Sequence, residues 1–393
     1  MPGWIKNPPP VSMQLSPNEW SVFMRAIALA CLIIMFVSPQ AAADSGRLIE
    51  AKPASDAPAG AIAWRILYET SDKDGRPTQS TALLIAPNTP APPGGRPVVA
   101  WAHGTTGIAE ECAPSLGPHA FSSIPGLMQM LRDGWVVVAT DYPGLGTSGP
   151  HAYLVGNAAG YAVLDSVRAA RRVPRVGAGS RFAVWGLSQG AHAALFTGQV
   201  AGRYAPDLQL AGVVAAAPPT NLASNLGGDV NPSVRTMLTA LATASWSKVY
   251  NISLATIAKP AGQRVIGRLA QTCGSEDPAL RTKIQVLRLR RQLGNTDLSR
   301  IEPWRKLLAV NSAGHSPAGA PLFVAQGGGD KVVSPNVTRQ FADDACRRGE
   351  KITFVELPGV VHADTAKASA NQASSWMKDR FAGIPAKTTC RGH

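Results

Sequence analysis

Apolar residues are spaced in two styles along this chain, and the two styles alternate. Short unbroken apolar runs, VVAWA within residues 97–102 and VVVAT within 135–140, suit strands buried on both faces of a parallel sheet. Residues 182–185, 210–216, 322–326 and 352–357 repeat that signal. Between them, longer stretches with interspersed polar residues predict helices, chiefly at 158–172, 191–204, 337–348 and 365–381. Two earlier strands, 61–70 and 80–86, are joined through the Asp74-Gly75 turn signal. The whole pattern predicts an α/β fold, a mostly parallel central sheet flanked by helices.

Between Asn221 and Pro317 the alternation stops. Helix starts replace strand signals there: Asn231-Pro232 precedes Val234, Met237, Leu238 and Leu241, and Asp277-Pro278 precedes Leu280, Ile284 and Leu287. The second run ends in Arg288, Arg290 and Arg291 before Gly294, which suits a helix C-terminus. Residues 221–316 therefore read as a helical cap or lid inserted between two late strands, with 44–220 and 317–393 as the core.

One strand leads into chemistry. Residues 182–192, FAVWGLSQGAH, pass from an apolar run to a helix-permitting run across Gly186-Leu187-Ser188-Gln189-Gly190, a GxSxG motif. A serine hydroxyl is a weak nucleophile until it is lifted clear of the backbone, set beside a base and faced by oxyanion donors. A sharp turn between strand and helix does the lifting, and flanking glycines leave room for it. With 38 glycines in the chain the motif alone is weak, and its strand-to-helix context carries the assignment. Gly314-His315-Ser316-Pro317-Ala318 has no such context and lacks the last glycine.

The partners of Ser188 are expected later in the chain, on loops leaving the carboxyl ends of strands, in the order serine, acid, histidine. Asp330 follows FVAQ through three glycines, and His362 follows ITFVEL and the Pro358-Gly359 turn. His362 would take and return the proton while Asp330 holds its tautomer. His192 stands on the helix that the serine opens, facing away from the place of a base, and His103 precedes the serine. Asp343, Asp344 and Glu356 fall on a predicted helix or within a strand, and Asp141 is expected to be structural. His103-Gly104-Thr105-Thr106-Gly107 follows the third strand, so the backbone N–H groups of Thr105 and Gln189 are the expected oxyanion donors. No metal or organic cofactor is needed for this chemistry.

Charge and cysteines change the picture modestly. The formal net charge of +13 favours anionic partners, yet no zinc-finger spacing, RNP-like motif or long basic run points to nucleic acid. Residues 1–43 read as a leader: Met24-Arg25, an apolar run over 26–37 too short to span a bilayer, and Ala41-Ala42-Ala43 as a cleavage site. An exported protein, secreted or periplasmic, follows. Cys112, Cys273, Cys346 and Cys390 then remain, an even set expected to form two disulfides, with three pairings open.

Taken in order, HGTTG, DYPGLG, GLSQGAHAAL, AAPPTNL, GGGDKVV and VVHAD resemble the secretory lipases of the fungal lipase A type and their bacterial relatives, within the α/β-hydrolases. The resemblance runs from about Ala61 to the C-terminus. It implies a lipase or esterase with Ser188, Asp330 and His362 as triad, residues 221–316 as lid, and small-molecule or lipid esters as substrates, with contact at a lipid interface. It also implies the disulfides Cys112–Cys273 and Cys346–Cys390. Ala191 stands where many members have a further glycine. The rival readings are a serine peptidase or acyltransferase using the same triad, and a non-catalytic binding protein that retains the fold.

Overall fold

The apolar runs become the middle of one nine-stranded sheet. A computed structural model describes residues 45–227, 231–274, 279–294 and 296–390. Its strands are β1 (Leu48–Pro53), β2 (Ala61–Ser71), β3 (Pro77–Pro87), β4 (Arg96–Ala102), β5 (Val136–Thr140), β6 (Ala178–Leu187), β7 (Gln209–Ala216), β8 (Leu322–Gly327) and β9 (Ile352–Leu357). The helices are α1 (Leu127–Arg132), α2 (Gly156–Arg172), α3 (Gln189–Tyr204), α4 (Leu222–Gly227), α5 (Pro232–Val249), α6 (Pro260–Leu269), α7 (Leu280–Leu293), α8 (Trp304–Val310), α9 (Pro335–Arg347) and α10 (Thr365–Phe381). The leader expected over 1–43, the Asp277-Pro278 helix start and His393 lie outside the described residues.

The strands lie in the order β1-β2-β3-β5-β4-β6-β7-β8-β9. Pairing is antiparallel from β1 to β3 and between β3 and β5. From β5 through β4, β6, β7 and β8 to β9 it is parallel. Phe182 and Val184 of β6 enter one buried cluster while Ala183 and Trp185 enter another. In β4, Val98 and Ala100 oppose Val99 and Trp101 in the same way. A strand covered on both faces has no position for a polar side chain, which explains the unbroken apolar runs. Helices α2, α3 and α9 fill the first cluster with Val163, Val167, Leu195 and Phe341; α1 and α10 fill the second with Met130, Leu131, Trp376 and Met377.

Local chemistry accounts for the element ends. The β2–β3 hairpin closes where Asp72 Oδ1 accepts from the N–H groups of Asp74 and Arg76. Asn231 caps α5 by accepting from Ser233 N and Val234 N, and Pro232 occupies the first helical position. Helix α7 stops at Gly294, whose φ is +54°. Outside residues 221–316, two elements were not expected from the sequence. β1, LIEAKP, is an edge strand without an apolar run, in keeping with the charged edges that discourage further pairing. α1 is too short to show a period.

Helices α4 to α8 all lie between β7 and β8, and no strand occurs among the described residues of 221–316. They share a third apolar cluster, in which Leu241, Trp246, Ile266, Leu289 and Trp304 meet Tyr153, Leu154, Val155 and Ala158 from the stretch that leads into α2. The cysteines pair as Cys112–Cys273 and Cys346–Cys390. The first bond joins the segment after β4 to the end of α6; the second joins α9 to the C-terminal tail.

Candidate active site

Ser188 sits at the turn between β6 and α3 with φ 55° and ψ −116°, a conformation that non-glycine residues rarely adopt. Its N–H donates to Ala216 O on β7 at 2.9 Å, and its carbonyl accepts from His192 N at 3.0 Å, so sheet and helix both hold the turn. The flanking glycines are required by close approach. A Cβ on Gly186 would lie 2.1 Å from Gly190 O, and one on Gly190 would lie 1.8 Å from Ala102 O. The serine is half-buried at the carboxyl end of the strand.

Asp330 and His362 meet at the ends of β8 and β9. Gly328 and Gly329 carry the chain from β8 to Asp330, and His362 opens the turn before α10. His362 Nδ1 donates to Asp330 Oδ2 at 2.7 Å. Asp330 Oδ1 accepts from Val332 N and Val333 N at 2.8 and 2.9 Å, and Gln326 Nε2 donates to Oδ2 at 3.1 Å. Burial pushes the Asp330 carboxyl up, but its bond to His362, the charge of His362 and the two backbone N–H groups outweigh burial and hold it below the usual carboxylate range. Donation from Nδ1 leaves Nε2 of His362 as the basic nitrogen. No hydrogen bond joins Ser188 to His362 here; such bonds are often long before substrate binds.

Gln189 follows the serine, and the loop that carries Thr105 comes close to the same turn. Gln189 is the first residue of α3, so its N–H has no partner within the helix. Gly104 packs along Leu187, with a Cβ there reaching to 3.4 Å of Leu187 O, and this brings the HGTTG loop beside the turn. Thr105 Oγ1 and Tyr153 OH share a hydrogen bond of 2.8 Å. His103 is buried, with Nδ1 2.6 Å from Gly104 O and its ring 4.7 Å from that of Tyr142, and belongs to the loop's support. Asp141 is buried as well, accepting from Ser115 N and from Thr81 Oγ1, and burial raises its carboxyl.

Several residues around the site carried no signal in the sequence. Gln326 steadies Asp330 and accepts from Thr338 Oγ1 at 2.8 Å. His151 donates from Nδ1 to Pro143 O and accepts at Nε2 from the Gln189 side chain at 3.0 Å. Burial pushes the His151 imidazole down to about 4. Ser245 Oγ of α5 donates to His151 O and accepts from Tyr153 N, while Trp246 Nε1 donates to Tyr153 O. Residues 151–153 therefore touch both the inserted helices and the side chains of Gln189 and Thr105. His192 donates from Nε2 to Asn311 O at 2.7 Å, and burial brings its imidazole to about 4. Asn311 Oδ1 in turn accepts from Gly156 N.

Comparison with known proteins agrees with this architecture. A family model described as secretory lipase matches residues 124–389. A probable inactive lipase of Mycobacterium tuberculosis is 25% identical over 84% of this chain and 75% of its own length. A secreted triacylglycerol lipase of Malassezia globosa is 25% identical over 84% of this chain and 74% of its own. Candida antarctica lipase A in its closed state superposes with a TM-score of 0.73 at 19% identity, covering 88% of this chain and 84% of that one. A rice cell wall degrading esterase from Xanthomonas oryzae gives 0.66 at 18% identity, covering 86% and 97%. The fold is that of the lipase and esterase α/β-hydrolases, and the chain belongs to the secretory lipase family of carboxylic-ester hydrolases.

Proposed function

We propose that Ser188, His362 and Asp330 form a triad that hydrolyses carboxylic esters through an acyl-enzyme. Ser188 Oγ attacks the ester carbonyl as His362 Nε2 takes its proton, and the N–H groups of Thr105 and Gln189 stabilise the tetrahedral oxyanion. Collapse expels the alcohol, which leaves with the proton from His362. A water deprotonated by His362 then attacks the acyl-enzyme and frees the acid. Asp330 keeps the proton on Nδ1 and stabilises the imidazolium. The observation that carries this reading is the 2.7 Å Asp330–His362 bond, placed on the same edge of parallel strands as the strained turn at Ser188.

Lipid esters are the proposed substrate class, in keeping with the family and with the triacylglycerol lipase among the relatives. Residues 221–316 are the proposed lid, since their helices reach the oxyanion loop through Cys273 and residues 151–153. The secretory family and the two disulfides fit export, and cleavage near Ala43 is the proposed processing site. The probable inactive lipase among the relatives raises a non-catalytic reading. The ordered acid–base pair here favours catalysis.

Hydrolysis of p-nitrophenyl esters from acetate to palmitate tests the assignment, with protein from Asp44 onward and Ser188→Ala alongside. The variant should keep its fold and lose on the order of 10⁴-fold or more in turnover. Activity that persists in Ser188→Ala would sink the site. Silence of the folded wild-type protein at every chain length would favour the non-catalytic reading.

A further inference from the structure

Helix α7 is apolar on two opposite sides. Val286 and Leu289 are buried with Thr282, and Leu293 packs beside them, on the side that meets α5 and α6. At 3.6 residues per turn, Leu280, Ile284, Leu287 and Arg291 fall on the far side. The first three are 72%, 41% and 49% exposed. Arg281 and Arg288 rim that stripe on one flank and Arg290 on the other, and all are exposed. No described residue forms an ion pair with Arg281, Arg288, Arg290 or Arg291, and the helix contains no acidic residue.

A single exposed leucine needs no explanation, but three large aliphatic side chains on one line with cations on both flanks do. The surrounding charge points the same way. Residues 221–316 hold 13 Lys and Arg against 5 Asp and Glu, so about a quarter of the chain carries +8 of its +13. An apolar stripe within a basic rim matches one kind of surface, where an acyl layer lies directly beneath anionic headgroups.

We propose that the outer face of α7 docks the protein on an anionic lipid surface. The leucines and isoleucine enter the acyl boundary, and the arginine stems lie along it with their guanidinium groups at the phosphates. The mounting of this face also links it to the active-site loop. Helix α7 packs on α6, α6 runs on to Cys273, and Cys273 is bonded to Cys112. Gly274 N donates to Thr106 O at 2.7 Å, within the loop that carries Thr105. The docking surface rests on exposure and charge and does not depend on the triad assignment.

Co-sedimentation with vesicles of diether lipids, which have no ester to cleave, tests the proposal. One set contains phosphatidylcholine alone and the other adds one-third phosphatidylglycerol. Wild-type protein should bind the mixed vesicles at least about tenfold more tightly than the neutral ones, and added salt should weaken that binding. Leu280→Ser/Ile284→Ser/Leu287→Ser and Arg281→Gln/Arg288→Gln/Arg291→Gln should each lose about tenfold or more at an unchanged melting temperature. Equal binding to both vesicle sets, or binding retained in both variants, overturns the proposal. Loss in the arginine variant alone would mark a polyanion site, and a wild-type dimer abolished by the apolar variant would make the occupant a second copy. Either of those results also overturns it.

Discussion

The sheet and the inserted helices are attached to the molecule in different ways. Along residues 98–102 of β4 and 182–185 of β6 the side chains are apolar on both faces, and nothing there titrates or can be reduced. The seam between the insertion and the core has its own apolar cluster, but facing the site it is made of hydrogen bonds and one disulfide. His192 holds Asn311, Ser245 holds residues 151 and 153, and Cys273 holds Cys112. Apolar burial is indifferent to pH and to reductant over ordinary ranges. A seam built from neutral imidazoles and a disulfide responds to both. The attachment of the insertion to the core should therefore fail under conditions in which the sheet still stands.

The largest effect should come from the disulfides, because they separate the two regions cleanly. On the chain-entropy model, closing 161 residues with Cys112–Cys273 is worth about 5 kcal/mol and closing 44 with Cys346–Cys390 about 4 kcal/mol. Cys112→Ala/Cys273→Ala should lower the melting temperature and also reduce ester turnover well below that temperature, since it loosens the segment after α6 from the loop that carries Thr105. Cys346→Ala/Cys390→Ala should lower the melting temperature and leave low-temperature turnover near wild type. Equal losses of activity in the two variants would remove the distinction between seam and core.

Acid should act next. His151 and His192 have imidazoles at about 4 in the folded chain, against an ordinary value of 6.5. A depressed folded pKa means that the stability is fully present above pH 6.5. It is lost as pH falls toward 4, where the unfolded chain takes up protons that the folded one refuses. Each histidine is worth up to about 3 kcal/mol across that window. Thermal unfolding followed from pH 7 to pH 4 should show a falling melting temperature, and His192→Asn should flatten the fall. An unchanged slope in that variant would relieve His192 of the role. Asp165, in the core, runs the opposite way. Burial raises its carboxyl to about 6, so its contribution to stability is present at low pH and lost as pH rises through 6.

How much of this was legible follows the same division. The middles of the strands, the turn at Ser188 and the Asp330–His362 pair showed in the sequence, because each is local: an unbroken apolar run, a glycine-flanked serine, a strand followed by a turn. The pairing of the four cysteines came only with the family resemblance, since spacing left three options. His151, Tyr153 and Asn311 gave no signal at all. Their partners lie far along the chain, with Ser245 92 residues from Tyr153 and Asn311 119 from His192, and hydrogen bonds over such separations impose no period. β1 was hidden for another reason, because an edge strand with charged residues lacks the apolar run by which the inner strands were found.

The finest test of the seam is a single oxygen. Tyr153→Phe keeps the ring in the third cluster and removes only the hydroxyl that bonds Thr105 Oγ1 at 2.8 Å. The loss of one hydrogen bond should cost about 1 kcal/mol in stability. If that bond also sets the angle at which the Thr105 N–H meets the oxyanion, kcat should fall about tenfold, the smaller end of what a displaced donor costs, while KM moves little. A merely structural tyrosine would lower the melting temperature and leave kcat alone. The split between the two readouts therefore decides whether Tyr153 only fills the third cluster or also helps to shape the site.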